Sequence, residues 1–367
     1  MPDERPTVKM IARRTGVSIG TVDRVLHGRA GVSAKTRERI QSLIVSLDYK
    51  PDILARRLKL NRNYQLRVLL PLASQDSGYW RLCRDGIELA AAELASNRVE
   101  VRIDEFDRYD GRGFRGLLDS LVEGGNEGLL VAPVLPEELL SALARLDPGF
   151  PYVFFDGSIE GSHPRATLGQ DALRAGALAG RMLELLSPGG GPLLAINAHA
   201  EDRHIGLRIE GFRSYFASAT TRATPDIIQR ECFHLEDRAR RGRFLSELFA
   251  ESPLIKGILV ANASGHYVGE WLVEAGLKKG VALLSWDLVP ANEAALRSGA
   301  VDCVISQRPL EQGRLGLLRL FQEVAGEGRM AMHLDLPIDI WLKENLPASI
   351  KPTDLPKKEE HHGASKR

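Results

Sequence analysis

The chain has 367 residues, with 49 Lys+Arg, 48 Asp+Glu, 44% hydrophobic residues and 3 cysteines. That balance excludes a disordered or collagen-like chain and a small disulfide-framed fold, and no apolar run is long enough to span a bilayer. The near-neutral total hides an asymmetry: residues 1–62 carry 14 Lys+Arg against 6 Asp+Glu, while the other 305 carry 35 against 42. A basic head on an acidic body is the electrostatic footprint of a nucleic-acid-binding domain. The alternative is a solvated, charged helical bundle. Cys83, Cys232 and Cys303 are odd in number and scattered, which predicts reduced thiols in a cytoplasm. The N-terminal MPDERPTVKM has no signal-peptide core, so export is not expected.

In chain order, Thr7 can cap a first helix whose apolar face is Val8, Ile11 and Ala12, ending at Gly16, a residue suited to a left-handed cap. Ser18 can cap a second helix, Ile19 to His27, with Val22, Val25 and Leu26 on one face. Two short helices about a Gly-containing turn form a helix-turn-helix pattern, whose second helix enters the major groove by its N-terminal residues. Residues 28–32 read as a loop. Ser33 caps a third helix, Ala34 to Leu47, with Ile40, Leu43, Ile44 and Leu47 inward.

The pairs Ile11-Ala12, Thr21-Val22, Arg24-Val25, Val32-Ser33 and Thr36-Arg37, with Gly16-Val17-Ser18, Tyr49-x-Pro51-Asp52 and Ala55-Arg56-Arg57-Leu58, resemble the headpiece of lactose-repressor (LacI-type) regulators. The match runs without gaps over about fifty residues, which is far more specific than a bare helix-turn-helix. The resemblance implies a homodimer on a pseudo-palindromic operator and a hinge helix that forms on DNA. Ile19 and Gly20 hold the family's base-choosing positions; neither side chain can hydrogen-bond, so readout there is apolar, for example of a thymine methyl. Arg24 would reach a base edge or phosphate. Thr7, Ser18, Thr21, Ser33 and Thr36 are similar to the family's phosphate contacts, which set register without reading sequence. Leu58 resembles the minor-groove wedge. Asp23 departs from the usual Ser, placing an acid near phosphates that must face away or pair with Arg24 or a base.

From residue 65 apolar runs alternate with helical stretches. The runs are Leu66 to Leu72, Val99 to Ile103, Leu129 to Val134 and Tyr152 to Phe155, then Leu193 to Ile196, Ile227 to Phe233, Ile258 to Val260, Val281 to Trp286 and Val301 to Ile305. This predicts an α/β body of two doubly wound lobes with parallel sheets, binding a ligand beyond the carboxyl ends of the strands. The expected divisions are a head at 5–51, a hinge helix and linker at 52–63, a two-lobe domain at 64–350 and a disordered tail at 351–367.

Over roughly residues 65–345 the body resembles the periplasmic-sugar-binding-protein fold carried by the same regulators. The motifs are Asp76-Ser77-Gly78-Tyr79-Trp80, Phe155-Asp156-Gly157, Gly169-Gln170-Asp171, Arg208-x-x-Gly211-Phe212, Val260-Ala261-Asn262, Trp286-Asp287 and Gln307-x-Pro309-x-x-x-Gly313. The last resembles the ribose-type branch. By resemblance Asp156, Arg208, Asn262, Asp287 and Gln307 would bond ligand hydroxyls, Tyr79 or Trp80 would pack on the sugar face, and Asp76, Gln170 and Asp171 would complete the site. Bidentate acceptors and donors suit a polyol, because each buried hydroxyl left unpaired costs free energy. Ribose-type binders often place Arg where this chain has Gly157, so ribose itself is not implied. Each residue has a structural alternative: Asp287 as a helix N-cap near Pro290, Asn262 closing a turn, Arg208 on a surface helix, Gln307 ending a strand, Tyr79 and Trp80 as core aromatics.

Enzymatic motifs are weak. Gly111-x-Gly113-x-x-Gly116 follows the second strand rather than the first and lacks the ribose-binding acid, so it reads as a flexible basic loop. No phosphate-binding loop or Gly-x-Ser-x-Gly elbow occurs. His199 and His204, beside Glu201 and Asp202, suit no common metal motif and read as solvated loop residues. The expectation is therefore a cytoplasmic, dimeric, effector-responsive regulator, most simply a repressor, with no catalytic set, metal or cofactor. Its partners would be operator DNA and a sugar, sugar acid, polyol or sugar phosphate. An exported sugar receptor and a DNA-tethered sugar enzyme are the alternatives.

Overall fold

The computed structural model describes residues 8–26, 31–46, 63–187, 189–199, 201–218, 224–326 and 333–347. The chain divides into two units, Met1–Asn63 and Tyr64–Arg367.

In the first unit, helix α1 spans Val8–Thr15 and ends where Gly16 takes φ +65°, the left-handed conformation that glycine adopts without a Cβ clash. Helix α2, Ile19–Leu26, is capped by Ser18, whose Oγ accepts from Thr21 N at 3.1 Å. Helix α3, Ala34–Ser46, is capped likewise, with Ser33 Oγ accepting from Thr36 N at 3.3 Å. Ile11, Ala12, Val22, Val25 and Ile40 form the core, with Val17, Val32, Leu43 and Ile44 partly buried around it. Thr7, Leu47, the Tyr49 to Leu58 stretch and the expected hinge helix lie outside the described residues, and nothing is described of the side chains of Val8, Asp23 and Leu26.

The second unit holds two six-stranded sheets built to one plan. Strands β1 (Tyr64–Pro71), β2 (Val99–Phe106), β3 (Gly128–Val131), β4 (Tyr152–Phe155) and β5 (Ala166–Gly169) belong to the first lobe. Strands β6 (Leu193–Asn197), β7 (Ile227–Glu231), β8 (Gly257–Val260), β9 (Ala282–Trp286) and β10 (Cys303–Ser306) belong to the second. Each lobe gains an edge strand from the C-terminal region, β11 (His333–Asp335) and β12 (Asp339–Trp341). The orders are β11-β5-β4-β3-β1-β2 and β12-β10-β9-β8-β6-β7; every pairing is parallel except β10 with β12. Each of the nine apolar runs holds a strand, with a few residues, such as Ala132 to Val134 after β3, running past its end. Strands β5, β11 and β12 were not foreseen, because ATLG, HLD and DIW are too short or polar to stand out and are set by pairing at the sheet edge. Gly111 to Gly116 is not a flexible loop but the start of helix Gly111–Glu123. Asp110 caps it, accepting from Arg112 N and Gly113 N, and the buried face of Phe114, Leu118 and Leu121 outweighs the glycines.

Three segments cross between the lobes: β5 to helix Ala172–Leu186, β10 to helix Pro309–Val324, and β11 to β12. They are tied to one another. Gln170 Nε2 donates to Ser306 O at 3.1 Å, Leu336 N to Gly169 O at 2.7 Å, and Arg308 grips Asp339 through Nε and Nη2 at 2.8 and 2.9 Å. The helix after Gln307 returns to the first lobe and packs on helix Tyr79–Leu94 and β3 to β5. Two glycines set helix spacing. A Cβ on Gly313 would lie 2.1 Å from Cys83 O, and one on Gly176 would lie 1.9 Å from Arg208 O. Gly176 thus lets helix Arg203–Ala217 approach closely enough to carry Arg208 to its place.

Candidate functional site

In the first unit, the described residues among those expected to meet DNA lie at least partly on its surface. Ile19 keeps 54% of its surface at the start of α2, and Ser18, Gly20, Arg24 and Ser33 are exposed. Ser18 Oγ and Thr21 Oγ1 share a hydrogen bond of 2.9 Å, and Ser33 Oγ and Thr36 Oγ1 one of 2.8 Å. Two helix N-termini are thereby dressed with paired hydroxyls, a chemistry suited to phosphate oxygens. Thr7 and Leu58 lie outside the described residues.

In the second unit the strand ends converge on a cleft between the lobes. Asp76, Tyr79 and Trp80 follow β1, Arg108 follows β2, and Asp156 follows β4. From the other lobe come His199, Asp202, His204 and Arg208 after β6, Asn262 after β8, Asp287 after β9 and Gln307 after β10. Asp156 and Asp287 hold the same place in their lobes, and both adopt positive φ, 68° and 53°. Non-glycine residues tolerate this at a cost, a strain that often marks a functional site. Asn292 pins the second of these turns, its Nδ2 reaching the carbonyls of Ala263, Trp286 and Asp287 at 3.0, 2.8 and 2.9 Å.

Most polar atoms here bond to one another. Tyr79 Oη donates to Asp156 Oδ1 at 2.6 Å. Asp287 accepts from Gln307 N and Nε2, both at 3.0 Å, so it is not the cap of helix Pro290–Ser298. Arg208, only 3% exposed, is no surface residue. Its Nη1 donates to Ala261 O and its Nη2 to Gln307 Oε1, both at 2.9 Å, and its Cζ lies 4.5 Å from the Trp286 ring centroid. Asn262 does close a turn, its Oδ1 accepting from Ser264 N at 3.1 Å, but its Nδ2 is buried with no partner. Arg208 Nε is likewise buried and unpartnered. Such atoms are costly unless something else bonds them.

The lobes also grip each other. Arg108 Nη1 donates to Asp76, and its Nη2 spans Asp202 Oδ1 and Oδ2 at 2.8 and 2.7 Å. His199 Nε2 lies 3.0 Å from Asp76 Oδ1, and Trp80 Nε1 donates to Asp76 Oδ2. His199, His204 and Asp202 are therefore not solvated loop residues. Asp202 is 7% exposed and the two imidazoles keep 13% and 18% of their side-chain surface. Their spacing carried no signal because their partners, Asp76, Arg108 and Asp156, stand on distant segments of the other lobe. Arg108 was also not foreseen.

Burial would raise Asp76, but the His199 hydrogen bond and the charge of Arg108 hold it well below the usual carboxylate range. Burial, with Asp156 adding to it, pushes Asp287 up to about 6 against the pull of Arg208 and Gln307. Burial also raises Asp156, and it lowers Arg208. Burial and then Arg208 push His204 down to about 3. The 3.8 Å approach of His204 to Asp156 is thus no ion pair at neutral pH.

The space left among these side chains is about 30 Å3, on the scale of a single water. A wider groove of about 500 Å3 lies beside it, sharing Asp156, Asp202 and His204. Gln170 and Asp171 line that groove and not the inner cleft. Asp171 caps helix Ala172–Leu186, accepting from Arg174 N. The other eight predicted residues come together. Among the described residues no group of His, Cys, Asp and Glu could hold a metal, and no helix is long and apolar enough to cross a membrane.

The lacI family of bacterial regulatory proteins matches residues 7–52, and the periplasmic binding protein domain matches residues 68–328. The chain belongs to the lacI family and carries that domain as its body. The ribose operon repressor of Escherichia coli is 28% identical over 213 residues, 57% of this chain and 60% of that protein. The chain thus spans less than two thirds of that relative. The HTH-type transcriptional regulator GntR of Pseudomonas aeruginosa is 25% identical over 93% of this chain and 96% of its own. A crystal structure described as a LacI transcriptional regulator from Bacteroides fragilis superposes with a TM-score of 0.69 at 26% identity, covering 77% of this chain and 98% of that one.

Proposed function

We propose that this lacI-family protein is a cytoplasmic transcriptional repressor of carbohydrate-related genes, binding a pseudo-palindromic operator as a homodimer and controlled by a sugar-like effector in the cleft. One observation carries the reading: a lacI-type head and a periplasmic-binding-type body occur in one chain. The relatives bear names of the same kind, a ribose operon repressor and a transcriptional regulator. The head would be 5–51, a hinge helix and linker 52–63, the effector and dimerisation domain 64–350, and a tail 351–367.

Asp156, Arg208, Asn262, Asp287 and Gln307 would hold the effector, with Tyr79 and Trp80 as the apolar wall and Asp76 beside them. The inner space is too small for a monosaccharide, so the lobes must part and reclose around it. Reclosure on a ligand would reset the first lobes relative to each other across the dimer, and with them the hinge helices. The coupling must be reciprocal, with DNA changing effector affinity by the same factor.

Operator selection followed by fluorescence anisotropy, with and without a sugar panel, tests the reading. A two-fold site bound by a dimer and shifted by one sugar is the expected result. Leu58→Ala should weaken specific binding by tenfold or more while leaving random DNA nearly unaffected. Equal losses on both DNAs would remove Leu58 from the minor groove, and a protein that selects no site would remove the regulator reading.

A further inference from the structure

Four carboxylates and two guanidiniums face the inner cleft: Asp76, Asp156, Asp202 and Asp287 against Arg108 and Arg208. His204 adds no charge near neutral pH, and even a protonated His199 would leave the carboxylates in excess. The count matters because two buried arginines in a pocket invite the reading of an anion receptor.

The geometry argues against that reading. Arg108 is already committed at both ends of its fork, Nη1 to Asp76 and Nη2 to the two oxygens of Asp202. Arg208 has both Nη atoms on neutral oxygens and only Nε unpartnered, and the opposite charges that act on it most strongly are Asp287 and Asp156. Each of those two carboxylates raises the cost of further negative charge in a space screened from water. What the cleft lacks is a group that both accepts and donates. Arg208 Nε and Asn262 Nδ2 need an acceptor, while the carboxylates of Asp156 and Asp287 can take donors beyond those from Tyr79, Ser306 and Gln307. A hydroxyl does both. An ammonium is compatible with the charge, whereas a carboxylate or phosphate is not.

We infer that the cleft selects an uncharged polyol, a neutral sugar or cyclitol, and rejects the sugar acid and sugar phosphate of the same skeleton. This rests on the sugar-effector reading above. Within it, Asp202 acts as a specificity-determining residue by occupying the fork of Arg108.

The test is calorimetry on the full-length protein at pH 7.5 with matched sets. These are D-ribose, D-ribonate and D-ribose 5-phosphate; D-galactose, D-galactonate and D-galactose 6-phosphate; and myo-inositol with its 1-phosphate. The neutral member of whichever set binds should be at least 100-fold tighter than its anionic partners. An acid or phosphate binding as tightly as its neutral partner overturns the inference and leaves the sugar reading standing. Silence across all sets removes both. Asp202→Asn deletes one carboxylate and leaves Arg108 Nη2 a single neutral acceptor in place of two charged ones, so the preference for the neutral member should narrow by tenfold or more. An unchanged preference, with the neutral ligand still bound, overturns the role given to Asp202.

Discussion

The head and the cleft handle polar side chains in opposite ways. In the head, Ser18, Thr21, Ser33 and Thr36 pair in full or partial contact with water, so each hydroxyl can exchange its partner cheaply. In the cleft, Arg208, Asn262 and Asp287 are buried and nearly every atom is assigned, with Arg208 Nε and Asn262 Nδ2 left over. The head presents a surface that DNA can meet one contact at a time. The cleft is a network in which changing one residue disturbs its neighbours.

The sharpest way to break this contrast is Arg208→Met. The side chain is nearly isosteric but uncharged. It leaves Asp287 and Asp156 buried without their shared cation and strips Gln307 Oε1 and Ala261 O of their donor. The expected loss is about 3 kcal/mol in urea unfolding of the body at pH 7.5, with the effector response abolished. A variant as stable as the native protein would mean that the carboxylates are neutralised some other way and that the cleft is not a coupled network.

That coupling also explains what could be read from residues alone. The two doubly wound lobes were legible because buried parallel strands such as GLLV and GILV are continuous apolar runs. Eight of the ten predicted cleft residues were legible because each lies in a local motif, either at a strand end, as Asp156 and Asp287 do, or on the helix that follows a strand, as Tyr79, Trp80 and Arg208 do. Arg108, His199, Asp202 and His204 were not. Their meaning lies in pairings of one lobe with the other, such as Arg108 with Asp202, and nothing local marks them. Gln170 and Asp171 differ in the converse way, lining the wider groove rather than the inner cleft. They sit in a motif beside a crossing segment, and one ties segments together while the other caps a helix. Strands β11 and β12 exist only because an edge was available to pair with.

His204 offers a milder probe of the same burial. Its folded imidazole takes a proton only near pH 3, while an unfolded one does so near 6.5. Folded His204 is thus short of a proton across that window, and it subtracts stability as pH falls below about 6.5. His204→Gln should remove this share. The stability of the variant relative to the native protein should rise on acidification from pH 7 to pH 5, by up to about 1.4 kcal/mol per pH unit below 6.5. Urea midpoints measured across that range decide it. Parallel curves would mean that His204 protonates as freely in the fold as outside it. Asp287 acts with the opposite sign between pH 4 and 6, so the comparison has to be made between variant and parent rather than against an absolute curve.

The smallest effect belongs to the head. Ser18→Ala removes the acceptor for Thr21 N and the hydroxyl partner of Thr21 Oγ1 at the start of α2. Both groups can turn to water, so the cost should be that of a lost helix cap, about 1 kcal/mol, read as faster amide exchange at Thr21 and Val22. With Ser18 as the proposed phosphate contact, operator and random DNA should lose affinity by similar factors, because such a contact carries no sequence information. A loss as large as that of Arg208→Met would show that the hydroxyls belong to a buried network after all. A loss confined to operator DNA would turn Ser18 from a register contact into a reader of bases, leaving Ile19 and Gly20 to share that task with a polar neighbour.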